Sequence, residues 1–312
     1  MREEFMFDSC GKGKIHCCKW TPDTPPRAVV QIVHGIAEYV LRYDDFASYL
    51  NGLGFVVVAE DHMGHGGSMQ PPVKGYFYGG WDAAVGDTHR LTERTKTEYP
   101  GLPYFLFGHS MGSFMTRTYL WQYPREELAG AVVCGTGWMP AAVLLPGIAV
   151  SKLVCRVTDE TKPSNLLQLL AFGSYNRRIH PARTVVDWLN RDSEKVDAYI
   201  HDPLCGFRAS SGLMRDMMGG MRRNQQRKNL QKMNRAVPIF FIAGGEDPVG
   251  SYGKGVHKAA EAFRKVGMER ISEKLYPLDR HEILNEIDHD QVYQDVSRWL
   301  EEILGTAKPC AR

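Results

Sequence analysis

No CxxC pair occurs among the seven cysteines of this 312-residue chain, and their number is odd. Cys10, Cys17, Cys18, Cys134, Cys155, Cys205 and Cys310 are irregularly spaced. That pattern argues against a disulfide framework or a zinc knot and fits a reducing compartment. An excess of charge is missing too: 38 basic residues face 36 acidic ones. Such a balance leaves no electrostatic footprint for a nucleic-acid partner. Long apolar runs are also lacking. The longest, AAVLLPGIAV at 141–150, is too short to span a bilayer and contains Pro146 and Gly147. The opening MREEFMFDSCGKGK has acidic residues and no apolar h-region, so it does not read as a secretory signal. The expectation is a cytoplasmic protein. No internal repeat or low-complexity segment is visible.

What is present is ordinary globular composition, 43% hydrophobic and 24% charged. The length exceeds what one core usually fills, so a main domain with an inserted lobe is expected. FMFDSCGKGKIHCCKW reads as an N-terminal hairpin. Nearly all-apolar runs at 28–33, 55–59, 104–107 and 128–134 read as strands buried on both faces. Helical spacing falls between them, at 43–53, 81–99 and 113–123. The alternation stops over 136–235, where short helices and loops are expected. It resumes with strands at 237–243 and 271–276 and helices at 254–266 and 291–304. This predicts a mostly parallel, doubly wound α/β sheet. Its core covers 1–135 and 236–312, and a helical cap is inserted at 136–235.

The chemistry centres on FGHSMG at 107–112. A serine hydroxyl is a weak nucleophile until it is exposed and a base takes its proton. Gly108 and Gly112 allow a sharp strand-to-helix turn that would expose Ser110. Met111 would then open a helix with a free N–H facing a developing oxyanion. In such a site the acid and then the base follow the serine in the chain. GGEDPV at 244–249 ends one strand, and Asp247 before Pro248 is favoured over Glu246 as the acid. PLDRHE at 277–282 ends the next, and His281 is favoured as the base. His257 and His289 fall in or at the start of predicted helices. A second oxyanion donor is expected from His34-Gly35-Ile36, with Gly35 letting the Ile36 N–H turn inward and His34 bracing the loop. Asp61, His62 and His65 could be mistaken for a metal set, but their glycine-rich loop lacks a rigid scaffold. They are expected to hydrogen-bond beneath the site. No metal and no cofactor are required.

The segments HGIAEYVLRYDDFASYLNGLGF, EDHMGHGGS, GHSMGS, GGEDPVG and RHEILNE together resemble the monoglyceride lipase and lysophospholipase branch of the α/β-hydrolases. DWLNRDSEKVDAYIHDPLCGF resembles that branch's cap. The resemblance implies an α/β-hydrolase fold, a triad of Ser110, Asp247 and His281, and an oxyanion hole of the Ile36 and Met111 amides. It implies a small-molecule acyl ester or lipid as substrate. One departure is Ser113, where that branch commonly has a further glycine. A general carboxylesterase, an aminoacyl-peptide hydrolase and a non-catalytic binding protein are alternatives on the same fold. Within the cap, 141–154 and 166–172 are apolar enough either to line an acyl channel or only to pack the cap's own core. Met214, Met217, Met218 and Met221 would suit an adaptable apolar surface or, alternatively, core filling. The basic run at 222–228 reads as a solvated helix face, with transient contact to a membrane surface as the other reading.

Overall fold

The computed structural model describes residues 1–69 and 73–306. Cys310 and the expected end of the core at 307–312 lie outside them. The N-terminal hairpin is β1 (Arg2–Asp8) and β2 (Lys14–Trp20). Six strands follow: β3 (Ala28–Val33), β4 (Phe55–Glu60), β5 (Tyr104–His109), β6 (Gly130–Cys134), β7 (Ile239–Gly244) and β8 (Ile271–Tyr276). They form one eight-stranded sheet in the order β1-β2-β4-β3-β5-β6-β7-β8. β1 and β2 run antiparallel, and every pairing from β4 to β8 is parallel. Every residue of β3 to β7 is buried, which is why these strands read as apolar runs without alternation.

The helices of the first half are α1 (Asp44–Gly52), α2 (Gly80–Glu98) and α3 (Met111–Gln122). Between β6 and β7 come α4 (Ala141–Val157), α5 (Asn165–Phe172), α6 (Ser193–His201), α7 (Ser211–Arg223) and the short α8 (Arg227–Leu230). This stretch has no strand among its residues. The chain closes with α9 (Lys254–Arg264) and α10 (His289–Thr306). The sheet separates two cores. Val29, Val33, Val56 and Val58 pack on one face with Leu91, Phe114, Met115 and Phe263 from α2, α3 and α9. Val30, Ile32 and Val57 pack on the other with Phe46, Leu50, Val296 and Leu300 from α1 and α10. α7 is tied to α3 by buried Asn224. Its carboxamide accepts from Thr118 Oγ1 (3.0 Å) and Trp121 Nε1 (2.8 Å) and donates to the Phe114 carbonyl (2.7 Å).

The strand order fixes where a site can form. From β3 the chain crosses to β4 on one side, then returns through α2 to β5 on the other. The connections leaving β3 and β5 therefore diverge. In an open parallel sheet, ligands bind in the crevice that such a reversal opens. The segments at its mouth are the two singled out in the sequence: His34-Gly35-Ile36 after β3 and Ser110 after β5.

Candidate active site

Ser110 sits between the last residue of β5 and the first of α3, with φ 52° and ψ −119°. A left-handed conformation in a residue with a Cβ is strained and costs on the order of 1–3 kcal/mol. The glycines around it allow this turn. A Cβ on Gly108 would lie 2.2 Å from Thr116 Oγ1 and 2.5 Å from the Gly112 carbonyl oxygen. One on Gly112 would lie 1.9 Å from the Val33 carbonyl oxygen. The Ser110 N–H donates to the Cys134 carbonyl of β6 (3.0 Å). Ser113 fits without displacing α3, and its hydroxyl donates to the Ser110 carbonyl at 2.6 Å. The departure from glycine thus adds a bond to the strained turn.

Asp247 and His281 come together: His281 Nδ1 lies 2.9 Å from Asp247 Oδ2, and both residues are buried. The other Asp247 oxygen accepts from the Val249 N–H (2.8 Å), which closes the turn through Pro248 and fixes the carboxylate. Glu246 is exposed. His257 pairs with Glu273 on the surface, and His289 with the Glu286 carbonyl at the start of α10. A Cβ on Gly135 would approach His281 Cε1 to 3.1 Å, so the exit of β6 packs against the ring.

The loop after β3 abuts Ser110: a Cβ on Gly35 would come within 3.0 Å of Ser110 Cβ. His34 is fully buried, and its Nε2 accepts the His62 N–H at 2.9 Å. The proton is therefore on Nδ1, which donates to the Gly35 carbonyl at 2.7 Å. Burial, then the neighbouring His65, push the His34 pKa down to about 3, so the ring stays neutral. Carbonyl and N–H point oppositely in a trans peptide. Pinning the Gly35 carbonyl to His34 therefore turns the Ile36 N–H away from that ring. Met111 is the first residue of α3, where a helix has no partner for its N–H. Neither amide donates a hydrogen bond to a described residue. Asp61 accepts from the amides of Val40 and Gly67, both at 2.8 Å, and from His16 Nδ1. His62 bonds back to His34, and His65 Nδ1 donates to the Met63 carbonyl. These three residues bond backbone groups and His16 beneath the loop after β3.

Glu38, Arg42, His109 and Glu282 were not singled out in the sequence, yet they join the three loops. Glu38 accepts from the Gly35 N–H (2.6 Å), Tyr43 hydroxyl (2.8 Å) and His109 Nδ1 (3.1 Å). Arg42 bridges Glu38 (3.0 Å) to Glu282 by two bonds of 2.6 and 2.7 Å. His109 Nε2 donates to the His281 carbonyl at 3.3 Å. Burial, the largest influence, opposes charge on both Glu38 and His109. Their mutual contact outweighs it, holding Glu38 below and His109 above the ordinary values. Glu38 and Glu282 thus meet Arg42 and His109 in one buried polar cluster. Adjacent polar residues in HGIAEYVLRY and RHE were the only available signal.

Ser110 and His281 line one cavity of about 670 Å³, together with Ile36, Glu38, His109 and Glu282. Its remaining wall is largely apolar and comes from the segment between β6 and β7. That wall includes Leu169, Phe172, Val186, Trp188, Leu189 and Phe207. Two residues of this segment also grip the loop after β3, since the Gly206 N–H (3.0 Å) and the Tyr199 hydroxyl (3.1 Å) donate to the Ala37 carbonyl.

The family described as serine aminopeptidase, S33, matches residues 24–288. The chain belongs to that family. It is 29% identical to a monoacylglycerol lipase of Mycolicibacterium smegmatis over 308 residues, covering 96% of this chain and 97% of the relative. It is 26% identical to the human monoglyceride lipase over 302 residues, covering 95% and 90%. Among solved structures, a thermostable carboxyl esterase from Bacillus coagulans in complex with glycerol superposes with a TM-score of 0.88 at 29% identity, covering 97% and 99%. The fold is that of the α/β-hydrolases, and the chain is a serine ester hydrolase.

Two expectations about the cap of this S33 hydrolase need correction. The 141–154 stretch does not line the cavity: α4 packs on α7, where a Cβ on Gly147 would meet Met218 Sδ at 3.0 Å. Only α5, from the 166–172 stretch, contributes, through Gln168, Leu169 and Phe172. The α7 methionines also lie elsewhere. Met214, Met217 and Met221 are buried in the core shared with α2 and α3, and Met218 packs against it. An apolar sequence reads the same whether it fills a core or lines a channel. Of the basic run, Arg223 pairs with Asp82 across to α2, and Arg227 and Lys228 are exposed. Among the described residues no helix is long and apolar enough to cross a membrane.

Proposed function

We propose that this protein hydrolyses monoacylglycerols or lysophospholipids through Ser110, His281 and Asp247. The supporting observation is the 2.9 Å Asp247–His281 contact beside a strained serine that lines the same cavity. In this reading His281 takes the Ser110 proton as Oγ attacks the ester carbonyl. Asp247 holds the imidazole tautomer and stabilises its charged form. The Ile36 and Met111 amides face the oxyanion, each worth on the order of 3 kcal/mol. The alcohol leaves with a proton from His281, and water then releases the acid from Ser110. The apolar wall from Leu169 to Leu189 receives the acyl chain.

A lipid substrate also suits the outer surface. Val143, Leu145, Leu153 and Val157 on α4, and Leu166, Leu169 and Leu170 on α5, are each half or more exposed. An apolar surface of this extent suits transient contact with a membrane from which substrate is drawn. The boundaries 136–235 suit a cap, with the flanking segments as core.

The test is turnover across a monoacylglycerol and lysophospholipid chain series, beside short nitrophenyl esters and an aminoacyl anilide, with Ser110→Ala as control. Preference for medium or long chains, abolished by the substitution, is expected. Preference for acetyl or aminoacyl substrates would overturn the lipid assignment. Turnover that survives Ser110→Ala would overturn the mechanism.

A further inference from the structure

The cap meets the base loop along a short strip, residues 187–191. The His281 N–H donates to the Trp188 carbonyl (3.3 Å) and the Glu282 N–H to the Leu189 carbonyl (2.8 Å). Asn190 Nδ2 donates to the Asn285 carbonyl (2.8 Å). Arg280 Nη1 returns two bonds, to the carbonyls of Asp187 (2.6 Å) and Asn190 (2.8 Å). The indole of Trp188 lies 5.1 Å from the His281 ring, centre to centre. Two chain segments from different parts of the fold are thus laced together on both sides of the base.

Arg191 closes the lacing. Its backbone N–H and Nε donate to the two oxygens of Glu286 (3.0 and 2.9 Å), and Nη2 reaches Asp279 Oδ1 at 2.6 Å and also bonds Asp288. Asp279 and Glu286 are buried, so their charges need a partner. Three carboxylates share one guanidinium, and Asp279 Oδ2 has no partner among the described residues. Burial, then Asp288 and Glu286, raise the Asp279 pKa to about 7 against the opposing pull of Arg191. Without Arg191 the three acids would face one another. The Asp279 carbonyl meanwhile accepts from the Glu246 N–H (2.9 Å), one residue from Asp247. The loop Arg191 grips therefore touches both the base and the acid.

We infer that Arg191 is a positioning residue for His281, and that the 187–191 strip is a fixed part of the catalytic frame and not a mobile cover. The inference rests on the hydrolytic reading above. A base displaced by about 1 Å costs on the order of 100-fold in rate. Arg191→Met is expected to lower kcat for a soluble nitrophenyl ester by about 10- to 100-fold while KM moves less than about twofold. Arg191→Lys keeps the charge but not the fork, and is expected to recover part of kcat. Arg183→Met removes a surface pair with Asp197 inside the cap, without touching the base loop, and should leave kcat near the parent value.

Melting temperature and reaction with a fluorophosphonate probe accompany each assay. Unchanged kcat in folded Arg191→Met would overturn the inference, as would a loss confined to KM. If Arg191→Met does not fold, folded Arg191→Lys decides by the same criteria, reduced kcat at unchanged KM being the supporting result. Failure of the underlying reading looks different: the unsubstituted protein would then resist the probe, or Ser110→Ala would keep its activity.

Discussion

Replacing His34 by alanine tests the proposed oxyanion hole apart from the rest of the proposed machinery. The imidazole contacts neither Ser110 nor the acid–base pair through a hydrogen bond. It holds the Gly35 carbonyl and the His62 N–H, and through the rigid Gly35–Ile36 peptide it sets the direction of one amide. His34→Ala leaves two buried backbone groups unpaired, each costing about 1–3 kcal/mol. Their sum predicts a stability loss of roughly 2–6 kcal/mol, within reach of the whole stability of a domain. Loss of one oxyanion donor costs about 100- to 1,000-fold in kcat. Since the Ile36 amide would be misaimed and not removed, the lower end is expected, near 100-fold.

His34→Gln is the informative companion. A carboxamide offers an NH2 donor and a carbonyl acceptor, the two roles that His34 fills with its Nδ1–H and Nε2. It should recover most of the stability and part of kcat. The assay is kcat and KM on a short nitrophenyl ester, with urea unfolding on the same preparations. KM should move little, because the amide acts on charge that develops after binding. If His34→Ala remains folded with kcat within about threefold of the parent, the Ile36 amide does not depend on His34, and its role as a donor loses its support.

Three further outcomes follow from the same geometry. Asp247→Asn should lower kcat by about 1,000- to 10,000-fold with little change in melting temperature, because an amide facing Nδ1 favours the wrong imidazole tautomer. Steady-state kinetics on the purified variant checks it. Glycine substitutions should split by environment. Gly112→Ala meets the Val33 carbonyl at 1.9 Å and should exceed the ~1–3 kcal/mol of ordinary overpacking, whereas Gly219→Ala in α7 meets nothing within 4 Å and should gain about 0.5–1 kcal/mol. Denaturant titration of both distinguishes them. Burial raises Glu60 from 4.5 to about 8, while its hydrogen bonds from Thr88 and Gln31 pull the other way. A raised acid contributes stability that is fully present below its unfolded pKa and is lost as pH rises through the folded value. Unfolding free energy should therefore fall between about pH 4.5 and 8, by on the order of 5 kcal/mol for this group. Glu60→Gln should flatten that slope, and an unchanged slope would refute the assignment to Glu60.

The strands were legible because a parallel sheet covered on both faces leaves no room for polar alternation: every residue from Ala28 to Val33 is buried, even Gln31. The spacing around Ser110 was legible for a steric reason, since neither Gly108 nor Gly112 could carry a Cβ. Asp247 was separable from Glu246 because the shorter side chain closes the turn before Pro248. The charged cluster was not legible. Glu38, Arg42 and Glu282 look like surface charge in one dimension, and only the folded chain brings residues 240 positions apart into contact. The division of the cap into α4, packed on α7, and α5, facing the cavity, was hidden for a related reason. Both are leucine-rich, and sequence does not state which neighbour an apolar face meets.

Sheet topology explains why charge, not apolar packing, holds the site together. Between β3 and β6 each strand connection carries a helix, α1, α2 or α3, that packs on a face of the sheet. At the reversal between β3 and β5 the connections diverge, and the gap they leave opens into the cavity that α5 and the 182–189 segment wall from outside. The loops there must stay open to substrate, so an apolar core cannot fix them. Glu38, Arg42, His109 and Glu282 supply the alternative: strong, directional bonds at the crevice that join the loop after β3 to the serine turn and the base loop. The cap strip supplies the same kind of hold on the outer side of the base loop through Arg191, Asp279 and Glu286. The strained serine needs such a frame, since a conformation costing on the order of 1–3 kcal/mol persists only where its surroundings over-determine it. The Ser110 N–H, which donates to the Cys134 carbonyl, and the Ser110 carbonyl, which accepts from Ser113, are the last members of that frame.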